Sequence, residues 1–341
     1  MTKTADKTSR KASTKQKAQT ERLGDQQKHN NKKKSAFSLE DGTLGDYAHA
    51  VIAKQYQRLV KQEAGVLQDT DPEYLHQMRV GTRRLRTALQ IFGEAVKLPK
   101  PARENQVRAL TNVLGQLRDL DVQIAALEND YRPQLPPSEQ EMVDRAKASL
   151  HKRRVKVFAE VKTALLQVEY RNLKTAYEKW VEAPEFNALA QLPLKVVLPD
   201  ILSPLLSKLL LHPGWLVAAA DQSTRSGLTL HELRKTCKQA RYQAEFFTEF
   251  YDSAFQNWVD ELKQLQEDLG TVQDTQVLSG ILSDHLPAKT NFSNLQQVMQ
   301  QQQTEALADW DELRSKYLDA AFRRQLHEMI LYPKSFEPQP T

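Results

Sequence analysis

From about Asp41 onward, apolar residues recur at three- and four-residue spacing, which is how a helix with one buried face is written. The pattern predicts helices near 43–68, 72–96, 102–130 and 137–183, the last broken near 169. It predicts four more near 200–219, 227–252, 254–285 and 292–331. Prolines punctuate the run. Asp71-Pro72 is a start signal, because Pro tolerates the first helical position, where its missing N–H has no partner to lose. Pro99 and Pro101 separate the second helix from the third, and Pro133, Pro136 and Pro137 the third from the fourth. A loop with Pro184 and Pro193 then divides the first four helices from the last four.

Residues 1–36 break the pattern. They are rich in Lys, Thr, Gln, Ser and Asn, carry almost no large apolar side chains, and end near Lys32-Lys33-Lys34. Such a segment cannot bury enough surface to offset its ordering entropy, so a disordered basic arm is expected over 1–40. Having no apolar h-region, it does not read as a secretory signal.

Composition agrees with an all-α fold. The 341 residues are 40% apolar with 11 glycines, and Leu, Ala, Gln, Glu, Lys and Arg dominate. One cysteine, Cys237, excludes an internal disulfide framework and suits a reducing compartment. The most apolar stretch, Val196 to Ala220, is interrupted by Pro199, Asp200, Pro204, Lys208 and Pro213, so no membrane span is expected and the chain reads as cytoplasmic. Net charge is +5, but residues 1–40 hold 11 Lys or Arg against 4 Asp or Glu, leaving the body with 37 basic and 39 acidic residues. Any affinity of the body for a polyanion must come from how its charges are arranged.

An internal repeat supplies that arrangement. The run from His76 to Phe92 realigns with the run from His231 to Phe247 at an offset of 155 residues. Leu114-Gly115 to Asp119 and Leu269-Gly270 to Asp274 match at the same offset without a gap. Two separate matches in one register indicate a tandem duplication, each copy about four helices. At roughly 100° per residue, His76, Arg79, Arg83 and Arg86 fall in a stripe less than a quarter-turn wide, opposite Met78, Leu85, Leu89 and Phe92. The second copy repeats the stripe with His231, Arg234, Lys238 and Arg241, and the apolar face with Leu233, Ala240, Ala244 and Phe247. Like charges at these spacings cost a few tenths of a kcal/mol per pair, a cost met twice at matching positions. Arg offers a planar fork of donors for phosphate oxygens, Lys a compact charge, and His a donor that phosphate would hold protonated. On that ground, binding is expected to strengthen between about pH 8 and 6 as His76 and His231 charge. The alternative is a charged face turned to solvent. In the second copy Glu232 and Glu245 lie at the stripe's edge and end, where they can neutralise part of its charge.

The His76-x-x-Arg79-x-x-x-Arg83-Arg84-Leu85-Arg86 run, its second copy His231-x-x-Arg234-x-x-x-Lys238, and the paired Leu-Gly-x-x-x-Asp segments resemble the CHAD domain, a family of helical domains named for their histidines. The resemblance covers about 41–333. It implies two four-helix bundles related by a pseudo-twofold axis with a basic groove between them, binding of inorganic polyphosphate, and association with polyphosphate granules. On this reading 1–40 is the arm, 41–190 the first bundle, 191–333 the second and 334–341 a tail. Matched residue by residue, the polyphosphate-binding positions are His76, Arg79, Arg83, Arg84 and Arg86, with His231, Arg234, Lys235, Lys238 and Arg241. Lys147, Lys152, Arg153 and Lys156 on the fourth helix, and Arg323 with Arg324 near the end, are secondary candidates. Asp119 and Asp274 are expected to orient stripe arginines, and Gly115 and Gly270 to mark a close helix approach. Arg118 becomes Gln273 and Arg84 becomes Gln239 in the second copy, so binding is expected to be asymmetric.

Catalytic signals are missing. Some members of the family also carry a triphosphate-tunnel domain with a Glu-x-Glu-x-Lys signature, but here Glu139-Gln140-Glu141-Met142-Val143 ends in Val. No P-loop, Gly-x-Ser-x-Gly or His-Glu-x-x-His motif is present, and no Cys/His cluster has metal spacing. A binding module without cofactor or metal is expected, with nucleic acid as the competing ligand through the lysine-rich arm, and a polyphosphate-cleaving enzyme a less favoured third reading. Tyr242, Trp180, Trp215, Trp258 and Trp310 read as packing residues rather than base-stacking platforms.

Overall fold

The computed structural model describes residues 42–221, 223–285 and 293–334. The basic arm over 1–40 and the tail beyond Lys334 lie outside them. Among the described residues the regular structure is helical, with two isolated β-bridges and no strand. The helices are α1 (Leu44–Val60), α2 (Glu63–Gln68), α3 (Pro72–Phe92), α4 (Glu104–Ala126), α5 (Pro137–Leu166), α6 (Val168–Glu182), α7 (Leu194–Leu210), α8 (Thr224–Ala244), α9 (Ser253–His285), α10 (Ser293–Ala306), α11 (Trp310–Leu318) and α12 (Ala320–Leu331).

Local chemistry sets several boundaries. Thr43 and Asp46 form a reciprocal capping box at the start of α1. The Asp71 carboxylate accepts from the Glu73 N–H at 2.8 Å, with Pro72 at the first turn of α3. Ser223 caps α8, and Asp221 in turn accepts from the Ser223 N–H and the Ser226 hydroxyl. Asp69 takes the left-handed conformation (φ 51°) in the turn before α3, and the Arg154 guanidinium holds its carboxylate with two bonds of 2.7 Å.

The structure departs from the sequence expectation at identifiable places. The helix predicted over 200–219 is α7, which starts six residues earlier and runs through Pro199 and Pro204. Eight buried residues on it, from Leu194 to Leu210, outweigh the proline penalty by packing. It ends just before a single 3₁₀ turn, Pro213–Leu216, which His212 caps. The final predicted helix is three pieces. Asp319 leaves the helix to cap α12 through the Phe322 N–H, and Trp310 is anchored by its indole N–H on the Val217 carbonyl at 2.8 Å.

One continuous core joins both runs of helices. α3 packs between α1 and α4, α8 between α7 and α9, and α3 and α8 touch each other. The connector after α6 is pinned to the first run: the Lys97 N–H donates to Glu185 O at 2.9 Å and the Leu44 N–H to Leu192 O at 2.9 Å. Across the runs the Tyr47 hydroxyl donates to the Phe246 carbonyl. The buried Glu139 carboxylate of α5 accepts from the Asn294 and Leu295 N–H groups, capping α10 from a distance of 155 residues in sequence. No helix among the described residues is long and apolar enough to cross a membrane.

Candidate functional site

The faces deduced from helical geometry fall where expected. Met78, Leu85, Leu89 and Phe92 of α3 and Leu233, Ala240 and Ala244 of α8 are buried, as is Phe247, which falls just beyond the end of α8. Because α3 and α8 are in contact, the stripes beside those faces converge. The Arg83 guanidinium lies over the Tyr242 ring at 4.3 Å, and Arg241 over the same ring at 4.4 Å. Tyr242 thus holds two cations from different helices close together, each stabilised by the negative face of the ring. Glu245 binds Arg241 at 3.0 Å and also pairs with Arg84, tying the end of one stripe to the other.

Counter-charges are unevenly shared. Arg79 donates to Asp119 at 3.2 Å, Arg86 to Glu104 at 2.5 Å and Lys235 to Glu232 at 2.6 Å. Among the described residues, Arg83, Arg234 and Lys238 form no ion pair. Asp274 feels Arg234 electrostatically, but burial, with Asp119 adding to it, raises its carboxyl above the usual range. Of the two aspartates, only Asp119 therefore makes a bond to a stripe arginine. The Nε atoms of Arg79, Arg83, Arg234 and Arg241, and Nδ1 of His231, are buried without a hydrogen-bond partner in the protein. A buried donor left unmatched costs about 1–3 kcal/mol, so the packed bases of these side chains are strained, and it is their outer nitrogens that are left to meet an anion.

Electrostatics show the same convergence. Burial, then Arg83, Arg234 and Arg79, pushes the Lys238 ammonium down to about 8. Burial and the neighbouring Arg118 hold His76 below the usual imidazole range, and burial with Lys235 does the same for His231. The pH expectation is therefore corrected: in the free protein the histidines stay neutral through most of the range from pH 8 to 6, and Lys238 is the group that titrates near its upper end. Phosphate favours the protonated ammonium, so affinity is expected to fall as pH rises through about 8. A second, smaller gain is expected below the ordinary imidazole value of about 6.5. Titrations from pH 6 to 9.5 at fixed ionic strength would show both limbs, and Lys238→Met should erase the upper one. An affinity that stays flat between pH 7 and 9 would remove Lys238 from the site.

Gly115 and Gly270 prove to admit side chains rather than backbone. A Cβ on Gly115 would stand 3.6 Å from Arg79 Nε, and one on Gly270 3.3 Å from Arg234 Nε. The two glycines leave room for the matching arginines to lie flat on α4 and α9. Gly270→Ala would relieve the mid-helix glycine penalty of up to about 1 kcal/mol while displacing Arg234 by a few tenths of an ångström. The expected outcome is equal or higher stability with weaker anion binding, read by denaturant melts alongside titrations. A variant that binds as the parent does would show that the position of Arg234 is immaterial.

The secondary candidates stand in differing surroundings. Arg323 donates to the carbonyls of Tyr317 and Leu210, where it closes the C-terminal end of α7. Lys147 is engaged by Glu128 at 3.4 Å and Asp144 at 3.6 Å. Lys152, Arg153, Lys156 and Arg324 are exposed, with no ion pair among the described residues. Trp180, Trp215, Trp258, Trp310 and Tyr242 are buried. Sequence reasoning passed over Glu104, which neutralises Arg86 from the start of α4 and for which helix periodicity carries no signal; Arg118, noted there for its change to Gln273 in the second copy, lies close enough to His76 to lower its pKa. Among the described residues no group of three or more His, Cys, Asp or Glu side chains can hold a metal ion.

Comparison with solved structures finds the same fold in other proteins. The CHAD domain from the plant Ricinus communis superposes with a TM-score of 0.54 at 22% identity, over 86% of this chain and 95% of that one. PptA from Streptomyces chartreusis superposes with a TM-score of 0.54 at 14% identity, over 84% of this chain and 99% of that one. Comparison with curated proteins gave no match. The family model of the CHAD domain matches residues 50–283, a span that takes in both stripes and both Leu-Gly-x-x-x-Asp segments, and the chain therefore belongs to the CHAD domain family.

Proposed function

We propose that this protein binds inorganic polyphosphate in a basic groove between α3 and α8, and that this binding targets it to polyphosphate granules in the cytoplasm. The observation that carries the proposal is the convergence of cations from both helices, with Arg83 and Arg241 on one Tyr242 ring and Arg83, Arg234 and Lys238 without a carboxylate partner among the described residues. A linear polyanion supplies counter-charge along its length, since successive phosphates present acceptors on every side. Each stripe runs about 15 Å at 1.5 Å per residue, enough for several phosphates. Family membership supports the ligand class.

On this reading the chain is a duplicated pair of four-helix bundles, 41–190 and 191–333, related by a pseudo-twofold axis that brings the stripes together. His76, Arg79, Arg83, Arg84 and Arg86 serve from the first bundle, and His231, Arg234, Lys235, Lys238 and Arg241 from the second. Carboxylates already hold Arg84, Arg86 and Arg241, so Arg83, Arg234 and Lys238 contribute most.

The test is a titration with long-chain polyphosphate at several salt concentrations, repeated with residues 1–40 removed. Affinity should fall steeply with salt as condensed counterions are released, and should persist without the arm. No binding at low salt would refute the proposal. Displacement of polyphosphate by RNA or DNA at equal phosphate concentration, with binding lost on removing the arm, would assign the protein to nucleic acid instead.

A further inference from the structure

The basic surface does not end at the second stripe. On the adjoining flank of α8, a cavity of about 710 Å³ opens between that helix, the end of α7 and the turn at His212-Pro213. Lys208, His212, Arg225 and Lys235 line it, with Leu228 contributing apolar wall. Glu232 is the one carboxylate in the lining, and Lys235 already engages it at 2.6 Å. Lys208 donates only to the neutral Gln239 amide, at 2.9 Å. Arg225 is exposed and forms no ion pair among the described residues. His212 Nδ1 accepts from the Gly214 N–H at 3.0 Å, which places the proton of the neutral ring on Nε2 and leaves that atom a donor. Burial, with Lys208 adding to it, keeps this imidazole in its neutral form at ordinary pH.

A concave site with three cations, a fixed imidazole donor and its only carboxylate already paired suits a phosphate group. Lys235 joins the cavity to the stripe, since it also lies near enough to His231 to hold that imidazole's pKa down. We propose that the cavity is a second phosphate subsite, filled by the overhang of a polyphosphate chain that leaves the stripe and passes Lys235 around α8. The proposal rests on the polyphosphate reading above. A helix with its side chains is about 10–12 Å across, so a chain of three phosphates seated on the stripe does not reach the flank. The subsite therefore makes the second run of helices selective for long chains.

A Lys208→Ala/Arg225→Ala double variant tests this, because both side chains are exposed and their removal leaves the core untouched. Long-chain polyphosphate and tripolyphosphate are titrated against the full chain and this variant over a range of salt. The long chain should bind the variant more weakly, with a log–log salt slope shallower by about 1.4, or about 0.7 per lost contact. Tripolyphosphate should bind both proteins equally. Unchanged long-chain affinity and slope would overturn the subsite. So would an equal loss for tripolyphosphate, which would make the cavity an independent site for small phosphates. Replacing Arg79, Arg83, Arg234 and Lys238 together separates the two claims: if long chains still bind that variant, it is the groove between α3 and α8 that fails as the binding site.

Discussion

Replacing Arg79, Arg83, Arg234 and Lys238 together by Met is expected to abolish polyphosphate binding and to raise the melting temperature of the free protein. Each charge-assisted hydrogen bond to phosphate contributes about 1.5–3 kcal/mol, so losing four removes about 6 kcal/mol or more, at least about 10⁴-fold in affinity. The rise in stability follows from Lys238. Its pKa of about 8 lies below the ordinary lysine value, so between those two values the unfolded chain binds more protons than the native one. Native stability therefore climbs with pH across that window, and below it the charged, buried ammonium costs roughly 3 kcal/mol. Met keeps the volume and removes the charge. Loss of the Arg79–Asp119 pair subtracts little, since Asp119 is 61% exposed and such pairs are worth about 1 kcal/mol at most. Thermal melts with and without polyphosphate read both effects. The parent should gain stability on adding the ligand, and the variant should start higher and gain nothing. A variant that melts lower would show that the cluster is held by its own contacts instead of strained by them, and binding within tenfold of the parent would place the ligand elsewhere.

Trp215→Ala is expected to cost about 3–5 kcal/mol, a large part of the 5–15 kcal/mol by which a domain is ordinarily stable. Trp215 is fully buried, stacks on Tyr317 at 4.2 Å and on Trp310 at 5.7 Å, and donates its indole N–H to the Leu209 carbonyl at 2.8 Å. Three elements meet on that ring: the end of α7, the 3₁₀ turn beneath α8, and α11. Trp215→Phe keeps a stacked ring and loses the bond, so it should cost nearer 1 kcal/mol beyond the lost area. Urea unfolding of the three proteins gives the comparison. A loss below about 1 kcal/mol for the Ala variant would mean that the stack does not anchor the second run.

The helical stripes and their opposite apolar faces were legible because a helix converts sequence position to direction, and both α3 and α8 run unbroken over 21 residues. Relations between helices were less legible. That Glu245 would hold Arg84 from α8's end, or Glu104 hold Arg86 from the start of α4, depends on packing that no local period encodes. The histidines show the same limit: their spacing in the motif says where they point, while the burial and neighbouring cations that keep them neutral come from the assembled fold. In α7 the predicted start at 200 fell just after Pro199, yet burial of its leucines carries the helix back through that proline to Leu194. Lys208 read as an interruption of an apolar stretch, and only the packing of α7 against α8 turned it into the rim of a cavity.

Glu139 carries a consequence for how far the two runs of helices depend on each other. Its carboxylate, on α5, caps α10, and Tyr47 on α1 reaches the chain just after α8. Cutting the chain between the two runs would leave these groups without partners, so severed pieces should reassociate when mixed and aggregate when kept apart.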